Sequence, residues 1–298
     1  MTDKQTDTTA ASFAWQGRID REDPAHSRRV HQQHLPTPAR DDFQHRPVLL
    51  GFACDEGVRR NQGVPGAALG PNAIRSALAN LTCPADFGFY DLGDTVCHDT
   101  EMEQTQQQTA DVISRVLKAG SLPVVLGGGH ELGWASFLGA QQFLQQQKPG
   151  QRLGILNFDA HFDLRNPEPV TSSGTAFRQC QQWCQAQDLP FDYFVVGLNP
   201  SANTEALYQF AQTQGVRWTE DLDCHAGNLA RLELLITDWL DNIDCLYITL
   251  CLDVFPAAYA PGVSAPAGLG VEPSVVFNLL RYLSVEMARQ QKKIVLVD

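Results

Sequence analysis

The chain returns repeatedly to short, almost wholly apolar runs that stop abruptly at glycine, acid, histidine or cysteine, and no other feature constrains its fold as strongly. Residues 47–53, 87–92, 122–126, 152–158, 193–197, 245–250 and 293–297 each have the length and apolar character of a strand buried on both faces. Between them lie stretches with apolar residues at helical spacing: 72–81, opened by Pro71, then 101–119 with Val112, Ile113, Val116 and Leu117 inward, and 134–147, 226–240 and 273–290. Strands alternating with helices in this way predict an α/β fold, a three-layer α/β/α sandwich around a mostly parallel sheet. Residues 1–46 are polar, with isolated anchors such as Phe13 and Trp15, and are expected to form an irregular arm. Residues 47–298 are expected to form one domain, since neither an internal repeat nor a linker interrupts them.

Composition narrows the partners. Against 34 Asp and Glu there are 22 Lys and Arg, a net charge of −12, which argues against nucleic acid and for a small-molecule ligand. The eight cysteines are scattered without a CxxC pair, and the first ten residues are polar rather than signal-like. No stretch approaches the roughly 18 consecutive apolar residues of a membrane span. A soluble, cytoplasmic protein is expected.

In parallel sheets, ligands gather at the carboxyl ends of strands, where loops from separate strands converge. Polar clusters follow the apolar runs at 127–131, 159–165, 199–204 and 251–256. Asp159, His161 and Asp163 stand at i, i+2 and i+4, which an extended backbone would direct to one side, with Ala160 and Phe162 facing the other. One such residue at a strand end is usually a turn former or cap; three at period two point to a ligand set. Cys251 and Asp253 repeat the spacing after a different run, and His130 follows a glycine triplet after a third. Mixed carboxylate and imidazole ligands suit divalent first-row ions, and a carboxylate-rich set leans to Mn²⁺ over Zn²⁺. Five or six ligands exceed the needs of one tetrahedral zinc. Two ions about 3.5–4 Å apart, sharing bridging groups and activating a water near neutral pH, account for them.

These stretches, together with Trp15-Gln-Gly-Arg18, residues 51–63 (GFACDEGVRRNQG), Gly70-Pro-Asn-Ala-Ile-Arg75, Ser172-Ser-Gly-Thr175 and residues 257–266, resemble the arginase/agmatinase (ureohydrolase) family, and its formimidoylglutamase branch in particular. The resemblance implies an arginase-like fold and a homo-oligomer. It also implies a manganese enzyme with two Mn²⁺ per subunit that converts N-formimidoyl-L-glutamate and water to L-glutamate and formamide, a step of histidine breakdown. By motif position, His130, Asp159, Asp163 and Cys251 would hold one ion and Asp159, His161, Cys251 and Asp253 the other. Asp253 would also serve catalysis, passing a proton to the leaving amine. Within the family the alternative is a guanidino hydrolase of the agmatinase or arginase type; outside catalysis it is a family member used for binding.

Several positions depart from the family pattern. Cys251 stands where an Asp is usual, and a thiolate's softness favours Zn²⁺ or similar ions. The resemblance also implies a Glu beside the amidine group, in a loop after the last apolar run. The sequence stops before that loop, at Asp298, so either its C-terminal end is incomplete or the amidine is positioned otherwise. Val64 replaces an expected Arg, leaving Arg59, Arg60, Arg75, Arg165 and Arg178 as cations for the substrate's carboxylates. Of these, Arg165 is nearest in sequence to the ligands, with a surface pairing to Glu168 as the alternative. Ser173, Thr175 and Asn199 are further candidates for substrate binding. Glu131 is expected at a solvent-facing helix start, and Trp134 and Phe137 in the core.

Overall fold

The computed structural model describes residues 13–23, 26–84 and 86–298. Eight strands form one sheet: β1 (Val48–Ala53), β2 (Tyr90–Val96), β3 (Pro123–Leu126), β4 (Leu153–Phe158), β5 (Asp192–Leu198), β6 (Arg217–Glu220), β7 (Cys245–Leu250) and β8 (Lys293–Val297). Their spatial order is β2-β1-β3-β8-β7-β4-β5-β6, and every neighbouring pair is parallel. The helices are α1 (Glu56–Arg60), α2 (Gly70–Ala79), α3 (Met102–Lys118), α4 (Leu132–Gln147), α5 (Ala176–Ala186), α6 (Glu205–Thr213), α7 (Leu229–Leu240) and α8 (Pro273–Arg289).

The strands bury both faces, and alternate residues feed two separate cores. Ile155, Val195 and Tyr247 point into a cluster with Ile113 of α3, Phe137 of α4 and Phe177 of α5. Their neighbours Leu156, Phe194 and Ile248 point the other way, onto Ile236 and Trp239 of α7 and Leu279 and Leu283 of α8. This is the expected three-layer sandwich, with a sheet that is wholly rather than mostly parallel. None of the helices among the described residues is long and apolar enough to cross a membrane.

The strand expected at 87–92 lies three residues further on, at Tyr90–Val96. Phe87 and Phe89 belong instead to a small cluster with Val30 and Trp15, ahead of the ladder. The strand then runs through Asp91 and Asp94 because Arg75, fully buried on α2, pairs with both: its Nε and Nη2 donate to Asp91 at 2.8 Å, and Nη1 donates to Asp94. Apolar patterning does not reveal a strand stabilised by a buried ion triad. Elements α1, α5, α6 and β6 also escape it; β6 is a short, half-buried edge strand of sequence Arg-Trp-Thr-Glu.

Of the arm expected over 1–46, residues 1–12, 24 and 25 lie outside the described residues. The rest is irregular apart from one 3₁₀ turn, Val30–Gln32, and it docks on the same triad, Trp15 Nε1 donating to Asp91 at 2.9 Å. Arg75 is therefore a structural cation, far from serving a substrate. Removing one partner of a buried ion network leaves uncompensated charge, at a cost of about 3–5 kcal/mol. Arg75→Met should lower stability by that order in denaturant unfolding, while Trp15→Phe, which removes one hydrogen bond to the charged Asp91, should lower it by about 1.5–3 kcal/mol.

Candidate metal centre

Two strands carry the site on the face turned towards α4 and α5. Along β4, Leu153, Ile155 and Asn157 share that face, and along β7, Cys245, Tyr247 and Thr249 do. Both series turn from apolar to polar as they approach the carboxyl end, and Asn157 and Thr249, paired in register, are fully buried. Each anchors a candidate ligand. Asn157 Nδ2 donates to Asp159 Oδ2 at 3.0 Å and to Tyr193 Oη at 2.8 Å. Thr249 Oγ1 lies 3.0 Å from His130 Nε2, a contact that engages Nε2 and leaves Nδ1 to face the centre.

His130 Nδ1 lies 3.0 Å from Asp159 Oδ2 and 2.8 Å from Asp163 Oδ2. His161 Nδ1 lies 3.0 Å from Asp253 Oδ2 and 3.5 Å from Asp159 Oδ1. Donor atoms of His130, Asp159 and Cys251 lie within 4.8 Å of one another, as do those of Asp159, His161 and Asp253, so Asp159 belongs to both groups. His130 Nδ1 is buried and, close as the carboxylates are, makes no aligned hydrogen bond. Ligands at right angles, about 2.1 Å from one ion, stand about 3.0 Å apart. The spacing and the unpartnered nitrogen both fit donors converging on a divalent cation, and all six expected positions meet in this one cluster.

Without a cation the charges oppose one another strongly. Burial pushes the Asp159 carboxyl up, but His130 and His161 outweigh it and hold it well below the usual range. Burial lowers His161, and Asp159 and Asp253 more than reverse this, to about 11. Asp253 is raised to about 6 by burial and by the charge of Asp159, and Asp163 is raised for the same two reasons. Burial, Asp159 and Asp253 raise the Cys251 thiol.

The three candidate ligands after β4 do not form the extended ladder expected from their spacing. The strand ends at Phe158. The Asp159 side chain then accepts from His161 N at 2.7 Å, and Asp163 adopts φ 48°, a left-handed turn that an Asp tolerates. Asn203 pins the bend, accepting from Phe162 N and donating to the Ala160 carbonyl. Ala160 and Phe162 are buried. Asn157, Thr249 and Asn203 were not singled out from the sequence, although a polar residue two before a candidate ligand in an otherwise apolar run is the visible trace of the first two.

Glu131, expected at a solvent-facing helix start, is wholly buried. Its Oε1 accepts from Gly57 N at 2.9 Å, joining the loop after β3 to α1. A Cβ at Gly129 would lie 2.0 Å from Glu131 Oε2, and one at Gly128 would lie 2.0 Å from the Cys54 carbonyl, so the glycine triplet clears room for this carboxyl and for the neighbouring strand end.

Beside the ligand loop opens a cleft of about 470 Å³, lined among others by Asn61, Arg165, Ser172, Thr175, Arg178 and Phe210. Arg165 is exposed. Among the described residues it makes no ion pair with Glu168, and Gly174 leaves room for its side chain across the start of α5. Ser173 opens the 3₁₀ turn before α5. Thr175 uses its hydroxyl within that turn, donating to the Ser172 carbonyl at 2.8 Å, and Asn199 Oδ1 accepts from Ser201 N at 2.9 Å in the turn after β5. Val64 is exposed, its N–H donating to Ser264.

Two measurements check this architecture. Thr249→Val should weaken metal binding about 10–100-fold in a chelator competition, because it frees the His130 ring. Burial raises the Glu131 carboxyl to about 7. A carboxyl raised on folding gives stability that is complete below the usual carboxylate range and lost as pH climbs through about 7, on the order of 3 kcal/mol here. Glu131→Gln in the chelated protein should therefore be the more stable form at pH 8 and lose that advantage near pH 5, as read by urea unfolding.

A family model for the arginase family matches residues 45–298. The formimidoylglutamase of Chromobacterium violaceum is 42% identical over 264 residues, covering 88% of this chain and 82% of its own. That of Vibrio vulnificus (strain CMCP6) is 43% identical over 290 residues, covering 94% and 85%. Among solved structures, Bacillus subtilis formimidoylglutamase superposes with a TM-score of 0.78 at 20% identity, covering 96% of this chain and 86% of its own. Trypanosoma cruzi formiminoglutamase with Mn²⁺ superposes with a TM-score of 0.72 at 22% identity, covering 88% and 86%. The converging His, Asp and Cys donors thus sit at the strand ends of a known fold, and the chain belongs to the arginase family.

Proposed function

We propose that this protein hydrolyses the linear amidine C–N bond of N-formimidoyl-L-glutamate, releasing L-glutamate and formamide, with two Mn²⁺ held by His130, Asp159, His161, Asp163, Cys251 and Asp253. The observation that carries the choice of substrate is the cleft beside the donor cluster, which Arg60, Arg165 and Arg178 line and, among the described residues, no acidic side chain does. A dicarboxylate fits such a cleft; agmatine, which ends in a cationic amine, is repelled by it. Relatives at 42–43% identity that bear the name formimidoylglutamase support the same reading.

Two such ions, when bound, lower the pKa of a water at the site and so supply a nucleophile near neutral pH. The chain's own residues do the rest. Asp159, shared by both donor groups, holds them in register, and Asn157 keeps its carboxylate from rotating. Asp253, whose Oδ1 accepts from the Ala160 N–H, takes a proton from the attacking water and delivers it to the departing glutamate amine. Arg165 and Ser173 meet the substrate's carboxylates, while Thr175 and Asn199 brace the turns that shape the mouth of the site.

Chelated protein reloaded with Mn²⁺ should release formamide and L-glutamate in equal amounts from N-formimidoyl-L-glutamate. Urea release from agmatine or arginine in its place would overturn the reading. Cys251→Ser should lower the rate by about tenfold or more, and Cys251→Asp, a harder donor, should tighten Mn²⁺ binding. Indifference to both substitutions would remove Cys251 from the ligand set.

A further inference from the structure

We propose that Arg178 is a specificity-determining residue that binds a carboxylate of the substrate's amino-acid portion; this rests on the reading of the substrate as an anionic amidine. Five arginines are candidates for that task, and the structure divides them. Arg59 pairs with Glu56, Arg60 with Glu56 and Glu103, and Arg75 with Asp91 and Asp94. Among the described residues, Arg165 and Arg178 alone of the five have no carboxylate partner, and both line the same cleft.

Arg178 is the better defined of the two. Its Cζ lies 3.3 Å from the centroid of the Phe210 ring, so the guanidinium rests on an aromatic face that fixes its plane. Its Nε is buried and has no acceptor. A buried donor without a partner costs about 1–3 kcal/mol, which an incoming carboxylate returns by accepting from the guanidinium fork. Burial lowers the pKa of this group, with no anion beside it to raise it. The preceding residue ties it to the reacting centre: the Phe177 ring packs edge-on against His130 at 5.3 Å, and Phe177 N donates to the Asp163 carbonyl. Arg178 lines the same cleft as Arg165, which follows Asp163 by two residues, so an amidine held at the donor cluster has its amino-acid end beside the cleft that Arg178 lines.

The test is calorimetric binding of L-glutamate, the proposed product, to the manganese-loaded full chain. Arg178→Gln should weaken it about 10–100-fold, the loss expected for hydrogen bonds between charged groups. Arg178→Lys, keeping the charge without the fork, should fall between. Phe210→Leu should weaken binding several-fold, and bound manganese should stay constant throughout. With N-formimidoyl-L-glutamate the change should fall mainly on KM rather than kcat. Unchanged affinity in Arg178→Gln, no binding of L-glutamate by the native chain, or a parallel loss of manganese would each overturn the proposal. Should the Gln variant fail to fold, unaltered affinity in both Arg178→Lys and Phe210→Leu would overturn it. Binding of L-glutamate that depends on Arg178, without formamide release from N-formimidoyl-L-glutamate, would uphold the carboxylate site and overturn the reading of the reaction alone.

Discussion

Three carboxylates and a thiol crowded against two imidazoles form an arrangement that mutual repulsion would scatter if the fold did not impose it. The directions of their pKa shifts record the conflict: Asp159 is held ionised by the imidazoles, while Asp163, Asp253 and Cys251 are driven towards their protonated forms by burial and by Asp159. A divalent cation relieves that conflict by supplying positive charge where the donors converge. The parallel sheet makes the convergence affordable. Strands β3, β7 and β4 have their carboxyl ends on one side of the sheet, so each delivers candidate ligands there within five residues of its ladder.

Rigidity at this edge comes from groups that are not ligands. Asn157 and Thr249 sit opposite each other on neighbouring strands and reach up to Asp159 and His130. Asn203 holds the bend between Ala160 and Phe162, and Glu131 clamps the glycine loop to α1. Each satisfies backbone or side-chain groups that would otherwise be buried without partners, so the same hydrogen bonds that stabilise the fold also limit the rotation of the ligands.

The division between what was legible in the sequence and what was not follows range. Apolar runs and helical spacing located β1, β3, β4, β5, β7, β8 and the long helices, because burial on both faces leaves a local pattern. The candidate ligand positions show for the same reason, each lying one to five residues beyond a strand end. The φ of Asp163, the burial of Glu131 and the pairing of Arg75 with Asp91 and Asp94 depend on residues distant in sequence, and no local pattern encodes them. The edge strand β6 escaped because a half-buried edge need not be apolar. The sorting of the arginines is the functional counterpart: sequence offers five, with Arg165 foremost by its nearness to Asp163, and only tertiary pairing separates those held by carboxylates from Arg165 and Arg178.

Cys251 gathers these strands of argument into one position. It lies two residues beyond Thr249 at the end of β7, and its backbone N–H donates to the Phe158 carbonyl at 2.9 Å, so its side chain is directed by the sheet whatever its chemistry. Sulfur there replaces one hard oxygen donor in a set whose other acids are all carboxylates. Softness at one position favours zinc-like ions, and the remaining carboxylates favour manganese. Hard donors are the more numerous in the set, and Asp159 belongs to both groups, its Oδ2 beside His130 and its Oδ1 beside His161. Sulfur in that set would adjust how tightly a cation is held, a difference of degree laid over a cluster whose position the sheet has already determined.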